Sequence, residues 1–220
     1  FKHTVNNIIE MCNGNAHVIL ATADTNDHTM NNPDIIKFCQ DRNVLLMFGE
    51  SKSKIDAINR DINNNPYLPK WDILVNVSDD QYFILKGFDD AIRNDMEACF
   101  PEGDGMLHYP DNNRKDLMTM SIMDHKYYSR TNRVYMEKFV SVYCDDGAMK
   151  EAVALGKYTT GNPTEYIKFV DRRIYNHDHP AFGKCDWDPQ YVANESKKVF
   201  AKDKATFDWW EHNNFGIPLK

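Results

Sequence analysis

The stretch "WDILVNVSDDQYF" spans residues 71 to 83, and how it is read decides the fold. Ile73-Leu74-Val75-Asn76-Val77 suits a buried strand, and it stops abruptly at Ser78-Asp79-Asp80. Apolar runs that do not alternate in and out belong to strands covered on both faces, the habit of parallel sheets flanked by helices. Two upstream runs, "HVILATA" (17 to 23) and "NVLLMF" (43 to 48), have the same character. Helical patterns separate them: "FKHTVNNIIEMCNG" closing on Gly14, "PDIIKFCQ" with Pro33 suited to a first turn, "SKSKIDAINRDI" (51 to 62) and "FDDAIRNDMEACF" (88 to 100). The order αβαβαβα predicts an α/β fold, a mostly parallel sheet with helices on both faces. In such sheets ligands lie beyond the carboxyl ends of the strands, where Asp79 and Asp80 would stand.

The second half is less regular. "MTMSIM" (118 to 123) and "EKFVSVY" (137 to 143) read as strands, "HKYYSR" as a short helix, and "DDGAMKEAVALGKY" (145 to 158) as a helix with acidic residues at its start. Pro163, Pro180 and Pro189 break the pattern before a last helix over about 191 to 213. With no repeat, low-complexity tract or linker, residues 1–220 read as a single domain.

A chain of 220 residues can bury a substantial core, roughly 70% of its unfolded surface, without disulfides or a structural metal. The 42% hydrophobic and 27% charged fractions are those of an ordinary globular protein, and no apolar run is long enough to span a bilayer. A net charge of −7 argues against non-specific nucleic-acid binding, though a local basic patch remains compatible with a polyanionic partner. Five scattered cysteines without a C-x-x-C pair point to a reducing, cytoplasmic setting. Because the sequence opens on Phe1 directly with a helical pattern, a strand is expected to precede it.

Five constellations carry chemistry. Asp79 and Asp80 suit a hard divalent cation with oxygen ligands, against the plain reading of a capped turn. Asp24 and Asp27, in "ADTNDHTM", stand after a strand where a carboxylate can accept hydrogen bonds from a uracil imide; a solvated acidic turn is the alternative. In "GESKSKIDAINRDI", Gly49 and Ser51 lead to a helix whose start, with Ser53, Lys52 and Lys54, suits an anion, and Asn59 lies about a turn further on. Asp145 and Asp146, after "VYC", offer a general base or simply a dipole-favoured first turn. His177 and His179, in "YNHDHPAF", share one side of an extended segment and could complete the coordination of Mn²⁺, or serve as ordinary polar contacts.

Together, "ADTND", "GESKSKIDAINRD", "VSDDQYF", "MSIMDHKYY", "SVYCDDGAMKEAV" and "HDHPAF" resemble GT-A-type glycosyltransferases. The likeness is to the family-2-like inverting enzymes of the small bacterial and bacteriophage kind, over roughly residues 1 to 185. This resemblance implies a GT-A-like, Rossmann-type domain with a nucleotide-sugar half over about 1–100 and an acceptor half over about 101–220. It implies Mn²⁺ or Mg²⁺ held by Asp79, with Asp80, His177 and His179 as partners, since Val77 replaces the first Asp of the D-x-D motif. Asp145 takes the place of the catalytic base, with Asp146 its nearest rival, and Asp24, Asp27, Ser53, Lys54 and Asn59 fall on the donor side. The implied activity is metal-dependent transfer from a nucleotide-sugar, a UDP-sugar favoured, to a glycan or to hydroxymethylated pyrimidines in phage DNA. A non-catalytic sugar-nucleotide or glycan binder is the alternative. For a DNA acceptor, "DNNRK" (111 to 115), "HKYYSRTNR" (125 to 133) and "DRR" (171 to 173) would supply a basic, aromatic groove.

Overall fold

The computed structural model describes residues 1–14, 17–187 and 189–218. It is an α/β fold. Helix α1 (Lys2–Met11) leads to strand β1 (Ile19–Asp24), α2 (Pro33–Asp41), β2 (Val44–Gly49) and α3 (Lys54–Asn63). Short strands β3 (Ile73–Val75) and β4 (Gln81–Phe83) precede α4 (Phe88–Cys99), β5 (Met106–His108), β6 (Ile122–Asp124) and the single turn α5 (His125–Tyr128). The long α6 (Cys144–Thr159), β7 (Ile167–Phe169), β8 (Tyr175–His177), α7 (Pro189–Asn194) and α8 (Lys197–His212) follow.

Local chemistry explains the starts of these helices. The Asn32 side chain accepts from the backbone N–H groups of Asp34 and Ile35 while Pro33 occupies the first helical position of α2. Ser53 accepts from Asp56 N–H at α3, Asp124 from Tyr127 N–H at α5, and Ser196 from Val199 N–H at α8.

The strands form three small sheets rather than one mostly parallel sheet. β1 and β2 pair in parallel, with Asp24 opposite Gly49 at the carboxyl end. The central sheet has the order β3-β6-β5-β7, antiparallel except for β5 beside β7, and β4 pairs antiparallel with β8. Residues 137–143 form no strand, and only the end of the 118–123 run enters one. The expected last helix is two, α7 and α8.

Two apolar clusters flank the central sheet. Met106, Met118, Met123, Tyr127 and Tyr135 join Phe139, Ala152, Phe207 and Trp210 in one, which ties α6 and α8 to the sheet. Phe83, Phe88, Ile92, Leu107, Met120, Ile122, Ile174 and Tyr175 fill the other, beneath α4. Burial of this kind contributes roughly 25 cal/mol per Å² of apolar area, which makes these clusters the principal stabilising element of the fold. Among the described residues no helix is long and apolar enough to cross a membrane.

Candidate functional site

The turn after β3 separates the two carboxylates that follow it. Gln81 N–H donates to the Ser78 carbonyl at 3.1 Å, and Ser78 N–H donates to the Gln81 side chain at 2.9 Å, closing a four-residue turn with Asp79 and Asp80 at its centre. The Asp79 side chain is 69% exposed, whereas that of Asp80 is 8% exposed and points inward. The antiparallel register that sets Gln81 opposite His177 delivers the imidazole to Asp80.

His177 Nε2 lies 3.0 Å from Asp80 Oδ2, which also accepts from the Tyr191 hydroxyl. On the other side His177 Nδ1 stands 3.5 Å from Asp111 Oδ2. That is an ion-pair distance, but Nδ1 is out of line for a hydrogen bond and has no partner for one among the described residues. Asp111 is anchored in turn by the N–H groups of Asn113 and Arg114, each at 2.6 Å, and by the Thr119 hydroxyl at 2.8 Å. Burial opposes charge on the imidazole, but the Asp111 and Asp80 carboxylates outweigh it and raise His177 to about 9. Burial likewise opposes ionisation of Asp80, yet the imidazolium and the Tyr191 hydroxyl hold it well below the usual carboxylate range. At neutral pH the cluster is therefore carboxylate, imidazolium, carboxylate.

His179 does not join this cluster through its ring nitrogen. Its Nε2 is 2.8 Å from Glu195 Oε1, and Tyr191, Trp187 and Phe182 surround the ring. The four residues expected to share a cation thus diverge: Asp79 faces solvent, Asp80 is bound to a protonated His177, and His179 is bound to Glu195. Among the described residues no group of three or more His, Cys, Asp and Glu side chains is disposed to hold a metal ion. Among the described residues the buried Asp80 Oδ1 has no hydrogen-bond partner, but one such oxygen is not a coordination sphere for Mn²⁺ or Mg²⁺. As placed, these residues do not fit the ion.

The donor-side residues divide in two. Asp24, at the carboxyl end of β1, accepts from the Ser51 hydroxyl, so the rim of the parallel pair β1/β2 is stitched together there. The Arg60 guanidinium packs against Gly49, where a Cβ would come within 2.6 Å of it, and its Nη2 reaches the Ala23 carbonyl at 3.4 Å. Lys54 opens α3 with an exposed side chain, and its charge slightly offsets the burial that pushes the Cys144 thiol up. By contrast Asp27 folds back onto Thr29 and Met30 N–H, an Asx turn, and Ser53 caps α3. Asn59 is buried, donating to the Tyr135 carbonyl at 2.8 Å and accepting from Val134 N–H at 2.9 Å. It positions the segment ahead of α6 rather than facing a ligand.

Asp145 and Asp146 lie in the first turn of α6. Asp145 Oδ1 accepts from Asp146 N–H at 2.9 Å, and its charge bears on the Tyr135 and Tyr175 phenols, whose proton affinity burial has already raised. The same field reaches Arg114. Asp146 is pushed up by burial, pulled down by Lys150 at 3.9 Å and pushed up again by Asp145, with a net rise. A half-buried carboxylate of raised basicity beside a second carboxylate is suited to taking a proton.

The presentation of this pair depends on a residue that sequence reasoning missed. Asp203 of α8 is wholly buried, and its carboxylate accepts from the N–H groups of Val140 (2.9 Å), Ser141 (2.8 Å) and Val142 (3.0 Å). Curled around that anion, the segment arrives at Tyr143 in the left-handed region (φ 62°) and turns into α6. A lone Asp amid the lysines of α8 was the only signal available in the sequence.

No family model, curated protein or solved structure matches the chain.

Proposed function

We propose that the chain is a glycosyltransferase of the nucleotide-sugar-dependent class, with the GT-A-like plan that its motifs resemble. More particularly, we propose transfer from a UDP-sugar to an acceptor hydroxyl, with Asp145 as general base. The observation that supports this reading is the polar rim of the β1/β2 pair, taken together with the acidic first turn of α6. Asp24 and Ser51 meet on the β1/β2 rim, Lys54 projects from the adjoining helix start, and Asp145 and Asp146 head α6.

In this reading Asp24 orients the nucleobase edge, and the ammonium of Lys54 faces the leaving diphosphate. Asp145 withdraws the acceptor proton as the sugar passes through an oxocarbenium-like state, and Asp146 holds a second negative charge beside it. The Asp80–His177–Asp111 cluster holds β4 against β8.

Donor hydrolysis and transfer, measured with a panel of nucleotide-sugars in Mn²⁺, in Mg²⁺ and in EDTA, test the reading. Turnover with at least one donor supports it, and the EDTA arm decides the metal requirement. Donor binding without turnover under every condition would favour the binding-module alternative, and absence of both would sink the proposal.

A further inference from the structure

Four of the five arginines in the basic segments expected to face a polyanion are paired with carboxylates within the fold. Arg114 is bound to Asp116 at 2.7 Å, Arg130 to Asp104 at 2.6 Å, Arg133 to Glu151 at 2.8 Å, and Arg172 to Asp95. A denser group of lysines lies elsewhere. Helix α8 carries Lys197, Lys198, Lys202 and Lys204 within its first eight residues, and the one acid among them, Asp203, is buried under three backbone N–H groups.

Lys204 pairs with Asp208 at 2.6 Å, but no ion pair among the described residues takes up Lys198 or Lys202. These two, at i and i+4, form one exposed ridge that continues two turns on to Trp209. Trp209 is 49% exposed, and Lys138, also exposed and without an ion pair, holds its ammonium 3.8 Å from the ring centroid. Phe200, 48% exposed, stands on the same helix against Tyr143. Unpaired lysines flanking open aromatic rings stand out in a chain of net charge −7.

From this ridge we infer that the outer face of α8, with Lys138, is a binding surface for single-stranded nucleic acid. Lys138, Lys198 and Lys202 contact phosphates, and Trp209 offers a stacking face to a base. Charge complementarity selects the partner, and the ring supplies what a strand of unpaired bases uses and a free anion does not. An anionic membrane fits less well. Insertion needs a continuous apolar face, and α8 turns Phe207 and Trp210 into the core while showing Lys198, Lys202, Asp208, Glu211 and His212 outward. This surface stands independently of the sugar-transfer reading.

The test is fluorescence anisotropy of a labelled single-stranded oligodeoxythymidylate of about 20 nucleotides with the intact chain. Three phosphate contacts predict a slope of log K against log salt of about −2, hence binding weaker by about 20-fold in 200 mM than in 50 mM salt. The triple variant Lys138→Gln, Lys198→Gln, Lys202→Gln should lose most of that slope, the matching triple Arg variant should keep it, and Trp209→Ala should weaken binding about tenfold. All these residues are exposed, so unchanged circular dichroism will accompany each variant. No binding at 50 mM salt, binding indifferent to the triple Gln substitution, or capture by phosphatidylserine vesicles with none by the oligonucleotide would each overturn the inference.

Discussion

Replacing Asp203 with Ala removes the one acceptor that satisfies Val140, Ser141 and Val142 N–H, in a place with no exposure to water. A buried donor stripped of its partner costs about 1–3 kcal/mol. Three donors share the loss and some relaxation follows, so about 4 kcal/mol is the expected destabilisation. With a urea m-value of about 2.5 kcal/mol/M for a chain of this size, the unfolding midpoint should fall by about 1.5 M. Asp203→Asn keeps the shape and one acceptor oxygen but turns an amide toward N–H donors, so it should fall between wild type and Ala. Since the same three groups set the turn that presents Asp145, both variants should also lower kcat more than they weaken donor binding. An Asp203→Ala midpoint within about 0.3 M of wild type would refute the view that this carboxylate organises residues 140–142.

The His177 cluster gives stability a pH signature. With its pKa raised from 6.5 to about 9 in the folded state, His177 contributes stability that is complete below about 6.5 and lost as pH rises through 9, about 3 kcal/mol in all. Asp80, depressed in the folded state, contributes in the opposite sense, its share present above the ordinary carboxylate pKa and lost in acid. Urea midpoints should therefore drop between about pH 6 and pH 9.5, and His177→Gln should flatten that drop; a wild-type midpoint that rises over this range would count against the ion-pair geometry. Gly156→Ala, which in an open helix would gain about 1 kcal/mol, should instead destabilise by about 1–3 kcal/mol, because its Cβ would come within 2.2 Å of the Asn162 carbonyl oxygen; a raised melting temperature would contradict this. Asp145→Asn should retain donor affinity and lose transfer by at least about a hundredfold, and normal transfer would move the base to Asp146 or elsewhere.

The helices were legible because their ends are written locally. Asn32-Pro33 and Ser53 are starts that any short window reveals, and the caps are in place in the structure. The β1/β2 pair was legible for a similar reason, since two continuous apolar runs joined by a helix leave few alternatives to parallel pairing. The central sheet was not. β6 is buried at every position, as a strand covered on both faces would be, and that pattern is the same whether its neighbours run with it or against it. The missed segment 137–143 has the composition of a strand, but the N–H groups a neighbouring strand would take are held by Asp203, 61 to 63 residues away. No local window contains that competitor.

The candidate site was legible to the level of residue types and not to the level of which groups remain free. Asp79 and Asp80 look equivalent in the sequence, yet the turn from Ser78 to Gln81 sends one into solvent and the other to His177, 97 positions away. An acidic side chain already bound to an imidazolium and a phenol has its charge committed, so the inward carboxylate has less to offer a ligand than its position suggests. The converse holds at α6. Among the described residues Asp145 accepts from one backbone N–H and Asp146 faces Lys150 at 3.9 Å, so they are held less than Asp80 is. Ranking the carboxylates by what already satisfies them moves the weight of the site away from the D-D turn and onto the first turn of α6. There the Asp203-held segment sets the backbone and the lysine ridge of α8 begins on the same helix. On α8 the inward Asp203 and the outward Lys198 and Lys202 therefore act separately: substituting the first should alter the backbone that leads into α6, and substituting the others the capture of a polyanion.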